Sequence, residues 1–287
     1  MTTKKEKLNL IPITDLAAPE LSVYAHATEQ ELLHFNEPDP GIFIAETANV
    51  LIRALHAGYR IRSVLVEDRR FQTEALPVFE TIEALYGAGE LCSLPVYMAP
   101  HDVVSDLTGY NLVRGLWAVL ERKPLPDVST FCEDKNRIAV LTDVVNPTNV
   151  GAIIRSAAAL GMEGVILTYP SVSPLTRRAS RVSMGTVFQI PWTILPKDAD
   201  PVSLLKENGF ETAAMALRDN SIPPDDAALG QAEKLAVFLG TEGTGLPDEV
   251  IEACDHKVMI PMAHGVDSLN VAAASAVIFW ELAKKPL

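Results

Sequence analysis

Three short stretches carry side chains of the kinds that bind and orient a ligand, and each follows an apolar run that reads as a β-strand. The first is Asp143-Val-Val-Asn146-Pro147-Thr148-Asn149-Val-Gly151-Ala-Ile-Ile-Arg155. Asn149 can cap the helix that follows, Gly151 permits close backbone approach, and Arg155 lies about one turn on from Gly151 along one helical face. A strand, a turn and a capped helix with a surface arginine would read the same way. The second is Phe238-Leu-Gly240-Thr241-Glu242-Gly243-Thr244-Gly245-Leu246-Pro247, with three glycines in six residues and a proline suited to the first turn of a helix. Exposed backbone N–H groups in such a loop can hold an anion. Glu242 in its middle disfavours phosphate, and the spacing matches neither a dinucleotide nor a Walker fingerprint, so a neutral or cationic ligand fits better. The alternative is a flexible surface turn. The third is Ile260-Pro261-Met262-Ala-His264-Gly265-Val-Asp267-Ser268-Leu269-Asn270. Here Asp267 or Ser268 reads as a helix cap and Asn270 falls in the first turn, which plain capping also explains.

These loops need a scaffold that brings strand ends together. Residues 137–287 alternate short apolar strands (Ile138–Thr142, Val165–Thr168, Val187–Ile190, Thr212–Leu217, Leu235–Leu239, Lys257–Pro261) with helical runs (Asn149–Leu160, Leu175–Met184, Pro201–Asn208, Pro247–Cys254, and Leu269 to about Lys284). That pattern predicts an α/β fold with a parallel sheet covered on both faces. Ligands in such sheets bind beyond the carboxyl ends of the strands, which is where all three loops fall. Upstream, residues 16–122 read as a smaller α/β unit: a helix over Glu46–Gly58, a strand over Arg60–Val66, a helix over Thr73–Tyr86, a strand over Leu94–Met98, a short helix over His101–Leu107 and a strand over Gly115–Leu120. Residues 123–136, rich in proline and polar side chains, are taken as a linker, and residues 1–15 as a flexible tail.

The chain has 287 residues, which suits two domains of roughly 100–200 residues each. Its net charge of −13 argues against loose, sequence-independent binding to nucleic acid, so any such contact must rest on a local cluster of arginines. Two groups qualify: Arg177, Arg178 and Arg181, at helical spacing, and Arg60, Arg62, Arg69 and Arg70. Both also read as solvated surface charge. The three cysteines, Cys92, Cys132 and Cys254, form no CxxC pair and are expected to be buried or semi-buried thiols. The amino terminus lacks the apolar stretch of a signal peptide, and the longest apolar run, Val271–Trp280, is half of the ~20 residues a membrane span needs. A cytoplasmic protein is expected. His256 and His264 lack a third ligand at metal spacing, so no metal is expected.

In order and spacing the three loops resemble the three sequence motifs of the SpoU (TrmH-type) branch of the SPOUT RNA methyltransferases. The matching stretches are Asn146–Arg155, Leu239–Pro247 and Ile260–Asn270, and the likeness covers about residues 136–287. Residues 16–122, including the Gly109-Tyr110 to Ala118 region, more weakly resemble the L30e-like substrate-binding domain that precedes this catalytic domain in ribose methyltransferases. The resemblance implies a trefoil knot near the C-terminus, against the general rarity of knots. It also implies a homodimer with the last helix at the interface, and S-adenosylmethionine (AdoMet) as methyl donor. It assigns Leu239, Gly240, Ile260, Met262 and Leu269 to the cofactor, and Arg155 to the reacting hydroxyl. Asn149, Glu242, Ser268 and Asn270 become a surrounding polar network. Arg177, Arg178 and Arg181 are the expected contacts to substrate RNA.

The implied reaction is methylation of an RNA ribose 2′-hydroxyl, with rRNA placed ahead of tRNA because of the extra N-terminal domain. A guanidinium donates hydrogen bonds and accepts none, so Arg155 is expected to stabilise a developing alkoxide while the proton leaves to phosphate or water. Two other readings stand beside it: an RNA-binding module whose methyltransferase half is silent, and a nucleotide-dependent α/β enzyme. The second requires a glycine fingerprint after the first strand, which Asp143–Asn149 does not supply.

Overall fold

The computed structural model describes residues 8–15, 17–108 and 115–283. The strands are β1 (Asn9–Pro12), β2 (Ile42–Glu46), β3 (Ile61–Glu67), β4 (Pro95–Ala99), β5 (Leu116–Glu121), β6 (Arg137–Leu141), β7 (Gly164–Leu167), β8 (Trp192–Ile194), β9 (Glu211–Met215), β10 (Leu235–Leu239) and β11 (His256–Val258). The α-helices are α1 (Ser22–Ala25), α2 (Glu29–Leu33), α3 (Ala48–His56), α4 (Leu76–Tyr86), α5 (Ala88–Ser93), α6 (His101–Thr108), α7 (Val128–Cys132), α8 (Pro147–Ala159), α9 (Arg177–Val182), α10 (Pro201–Glu207), α11 (Ala227–Gln231), α12 (Asp248–Ala253) and α13 (Val271–Ala283). The chain divides into two compact units, one of Met1–Pro124 with Leu175–Phe188, the other of Leu125–Pro174 with Gln189–Leu287.

The first unit is built on a mixed sheet of order β1-β4-β3-β5-β2. β1, β4 and β3 run parallel, while β5 is antiparallel to both β3 and β2. Leu21, Tyr24, Leu32, Ile42, Ile44, Leu65, Trp117 and Val119 pack into one apolar cluster. The Tyr24 hydroxyl shares a hydrogen bond with Ser63 Oγ at 2.7 Å, and Thr28 and Glu31 close a capping box at the start of α2. The Leu175–Phe188 segment belongs to this unit through specific contacts. Phe188 packs against Phe43 and Tyr59, ring centroids 5.9 and 5.1 Å apart. Arg181 Nη1 pairs with Glu46 Oε2 at 3.0 Å, and the Arg177 N–H donates to Glu29 Oε1 at 3.0 Å.

Several sequence expectations change here. Residues 9–12 are not tail but a sheet strand, paired along their length with β4. Ile42–Glu46 is a strand, and the helix expected from Glu46 starts at Ala48. The strand expected over Val187–Ile190 does not form. Thr186–Phe188 is a 3-10 turn, in which Val187 and the nearby Ile190 are both buried, and the strand comes later as β8. The Gly109–Tyr110 stretch and the end of the last helix at Lys284 lie outside the described residues.

The second unit carries a six-stranded sheet of order β11-β9-β10-β6-β7-β8, every neighbouring pair parallel. β6, β7 and β10 are buried along their whole length, as strands covered on both faces must be. Val128, Phe131 and Cys132 of α7 join Ile138, Val140, Phe210 and Phe238 in its core. Part of the expected linker is therefore a helix: Asp127 caps α7 by accepting from the Thr130 N–H at 3.0 Å. α8 begins with Pro147 at its first turn, capped by Asn146, whose side chain accepts from the Thr148 N–H at 2.9 Å. The cap is thus Asn146 rather than Asn149, because a proline at the first helical position leaves the cap to the residue before it.

Of the three thiols, Cys132 and Cys254 are buried and Cys92 is exposed. Burial pushes the Cys254 thiol up to about 11 and the Cys132 thiol upward as well. Since the thiolate is the nucleophile, iodoacetamide at pH 8 is expected to alkylate Cys92 alone in the folded protein and all three cysteines after unfolding, as read by peptide mass mapping. Equal labelling of Cys132 and Cys92 in the native state would contradict this packing.

Candidate active site

β6, β9, β10 and β11 are parallel and adjacent, so their carboxyl ends share one edge of the sheet. A cavity of about 550 Å³ opens there, within the range of small-molecule and cofactor sites. Its wall is assembled from the turn after β9 (Met215–Arg218), the loop after β10 (Leu239–Leu246), the segment after β11 (Val258–Ile260 and Met262) and the approach to α13 (Asp267–Val271).

The loop after β10 folds back on itself. The Gly245 N–H donates to the Thr241 carbonyl at 3.1 Å, closing a one-pair antiparallel bridge. Gly243 and Gly245 hold φ of +90° and +72°, which L side chains rarely adopt. Gly240 is excluded from substitution for a different reason: a Cβ there would lie 2.3 Å from the Gly245 carbonyl carbon and 2.4 Å from the Leu246 nitrogen.

Asn270 joins two of these segments to each other and to α8. Its Oδ1 accepts from the Ala272 N–H at 2.9 Å, capping α13. Its Nδ2 donates to Asn149 Oδ1 at 3.3 Å and also to Glu242 Oε1. Asn149, 6% exposed on the first turn of α8, is fixed by its helix, whereas Glu242 sits on the exposed glycine loop. The cap of α13 is therefore Asn270, not Asp267 or Ser268 as its sequence suggests.

Leu239, Gly240, Glu242, Ile260, Met262, Ser268, Leu269 and Asn270 all line the cavity, and Asn149 reaches it through Asn270. Arg155 stands apart. It is exposed on α8, outside the cavity wall, six residues or about 9 Å of helix beyond Asn149. Arg177 and Arg181 are engaged with Glu29 and Glu46, and Arg178 is exposed. Arg60 and Arg62 fall at the start of β3 and Arg69 and Arg70 beyond its end, so those four do not form one patch. His256 Nε2 pairs with Glu211 Oε2 at 2.9 Å, and His264 sits at φ +57° on an exposed turn. Among the described residues, no group of three or more His, Cys, Asp or Glu side chains is placed to hold a metal, and no helix is long and apolar enough to cross a membrane.

Leu217, Arg218, Asp248 and Ile251 line the cavity but carry no motif in the sequence. The one signal for the first two is position: the strand expected over Thr212–Leu217 ends there, and the strand-end rule applies to it as to its neighbours. Arg218 pairs with Asp248 and, among the described residues, is the one cation on the cavity wall, against Glu242, Asp248 and Asp267.

Residues 136–280 match the family model of the SpoU rRNA Methylase family, and this span contains every segment of the cavity wall. The chain belongs to that family. As a SpoU methylase it is 34% identical, over 84% of its length and 80% of the relative's, to an uncharacterised tRNA/rRNA methyltransferase of Mycobacterium bovis. The fold of an AdoMet-bound rRNA methyltransferase from Sinorhizobium meliloti matches with a TM-score of 0.79 at 24% identity, covering 97% of this chain and 99% of that one. That of a solved RNA 2′-O-ribose methyltransferase matches with a TM-score of 0.72 at 23% identity, covering 96% and 99%. The α/β architecture with its parallel sheet is that of the SPOUT methyltransferases.

The geometry sets two expectations for this SpoU methylase. Asn270→Ala, which removes the α13 cap and both side-chain ties, is expected to lower stability by about 1–2 kcal/mol in urea unfolding. Gly240→Ala is expected to cost about 1–3 kcal/mol, because backbone rather than a flexible side chain must move. Unchanged unfolding midpoints for both variants would contradict the close contacts described.

Proposed function

We propose that this SpoU methylase transfers a methyl group from AdoMet to the 2′-hydroxyl of an RNA ribose, with rRNA as the substrate class. The observation that carries the reading is the cavity itself: two of the family loops line it, and Asn270 ties both to Asn149 on α8, the helix that carries the remaining motif. Its residues fit the donor. Leu217, Ile260 and Leu269 offer apolar surface to a planar base, with Leu217 and Leu269 50% and 39% exposed, and buried Leu239 brings the end of β10 to the wall. Gly240 lets the loop after β10 close tightly on its own backbone, where no Cβ could stand, and so shapes the cavity wall. Three acids against one arginine give the cavity a charge balance that favours a cation, and the donor's sulfonium supplies the activated methyl group.

The chain's own residues must then place and polarise the ribose. Arg155 has only donors to offer, so it stabilises negative charge developing on the ribose oxygen and leaves proton acceptance to phosphate or water. Ser268, on the cavity wall, orients the ribose. The N-terminal unit, read as L30e-like, selects the RNA. Arg178 makes phosphate contact, while Arg177 and Arg181 hold α9 in place through Glu29 and Glu46. The knotted path belongs to the same reading: the segments after β10 and β11 both line the cavity, as threading of the C-terminal stretch would bring about.

The exposed position of Arg155 supports a homodimer. Ser275, Ile278, Phe279 and Leu282 bury one face of α13, which packs against α8. The opposite face carries Ala273, Val277 and Trp280 at helical spacing, with Val277 and Trp280 36% and 53% exposed. A helix that is apolar all round is a buried helix, so a second copy covering this stripe would bring its own surface to α8 and Arg155.

Incubation with tritiated AdoMet and rRNA, then digestion to nucleosides, is expected to yield label only in 2′-O-methyl nucleosides; label in a base overturns the reading. Arg155→Ala is expected to keep AdoMet affinity in calorimetry and to lose about 100-fold or more in turnover, as for removal of an oxyanion donor. If each site takes Arg155 from the second copy, mixing inactive Arg155→Ala and Glu242→Gln chains restores about a quarter of wild-type activity through mixed dimers. No restoration, with mixed dimers shown to form, counts against a shared site.

A further inference from the structure

Beyond the apolar wall and the glycine loop, the cavity holds one feature that neither the motifs nor the relatives assign. Arg218 follows the end of β9 and Asp248 opens α12, and their side chains are ion-paired at the cavity wall. We propose that this pair is the receptor for the zwitterionic amino-acid end of the methyl donor, the guanidinium taking its carboxylate and Asp248 its α-ammonium. The inference rests on the AdoMet reading above.

Four observations support it. Among the described residues Arg218 is the one cation that lines the cavity, so a ligand carboxylate finds no other positive side chain on this wall. The turn that carries it is held from behind: the Arg218 N–H donates to Ser221 Oγ at 3.2 Å, and Ser221 Oγ donates to the Ala216 carbonyl at 3.1 Å. Guanidinium geometry suits a carboxylate, because two parallel N–H donors match its two oxygens. Finally, the existing pair is cheap to rearrange. With side chains 38% and 87% exposed, Arg218 and Asp248 form an ion pair of the kind that contributes little in water. A zwitterion laid across it replaces one exposed pair with two, and the cavity's charge balance is unaltered. Glu242, another acid on the wall, already accepts from Asn270 on a different loop.

The test is calorimetry on the full chain with three ligands: AdoMet, its decarboxylated analogue, which lacks only the carboxylate, and 5′-methylthioadenosine, which lacks the amino-acid end. Arg218→Met is expected to weaken AdoMet about 10- to 100-fold, the loss typical of a charge-assisted hydrogen-bonded contact. It should leave the other two ligands unchanged, and Arg218→Lys should recover part of the loss. Asp248→Asn is expected to weaken AdoMet and the decarboxylated analogue but not methylthioadenosine. Equal weakening of methylthioadenosine and AdoMet by Arg218→Met would show a structural role and overturn the proposal, as would unchanged AdoMet affinity. Failure of the wild-type chain to bind any of the three would instead overturn the AdoMet reading, and this inference with it.

Discussion

The Asn270 side chain spans the three segments on which the site depends. One amide caps the last helix through its oxygen and, through its nitrogen, reaches both Asn149 on α8 and Glu242 on the glycine loop. Those partners are 121 and 28 residues away in sequence, so this is a tertiary lock rather than a local turn. It works only because β6 and β10 lie side by side and end at the same edge. An amide suits such a junction because it donates and accepts at once without carrying charge, and so leaves the acidic balance of the cavity intact.

Around this lock, rigid and adaptable parts are separated. Asn149 is buried on a helix whose start is fixed by Pro147 and Asn146. Glu242, Ser268 and Leu269 are exposed on irregular backbone. The rigid members set the geometry, and the exposed ones offer surface to a ligand. This division agrees with binding groups carried on loops that a packed scaffold positions.

Much of the catalytic half is legible in the sequence because its signals are local. Glycines, caps and apolar runs mark strand ends without knowledge of what lies across the sheet. They are enough to put Leu239, Gly240, Glu242, Ile260, Met262, Ser268, Leu269 and Asn270 on one cavity. The departures have a long-range cause or a near-degenerate local one. Arg177 and Arg181 resemble a surface patch until Glu29 and Glu46, more than 130 residues away, are seen to engage them. Arg218 and Asp248 carry no motif, and only folding makes them neighbours. Asn146 and Asn149 compete for one cap three residues apart, and Pro147 decides between them. β1 and β2 escape a sequence reading because short strands without polar alternation give no period to detect.

The proposed chemistry requires that these loops form one cavity for a methyl donor. A crystal structure of the protein grown with AdoMet tests this most directly. The expected result is the donor seated between Leu239, Ile260 and Leu269, beside the Asn270 lock. A donor bound elsewhere on the chain, or an empty cavity at saturating concentration, would contradict it.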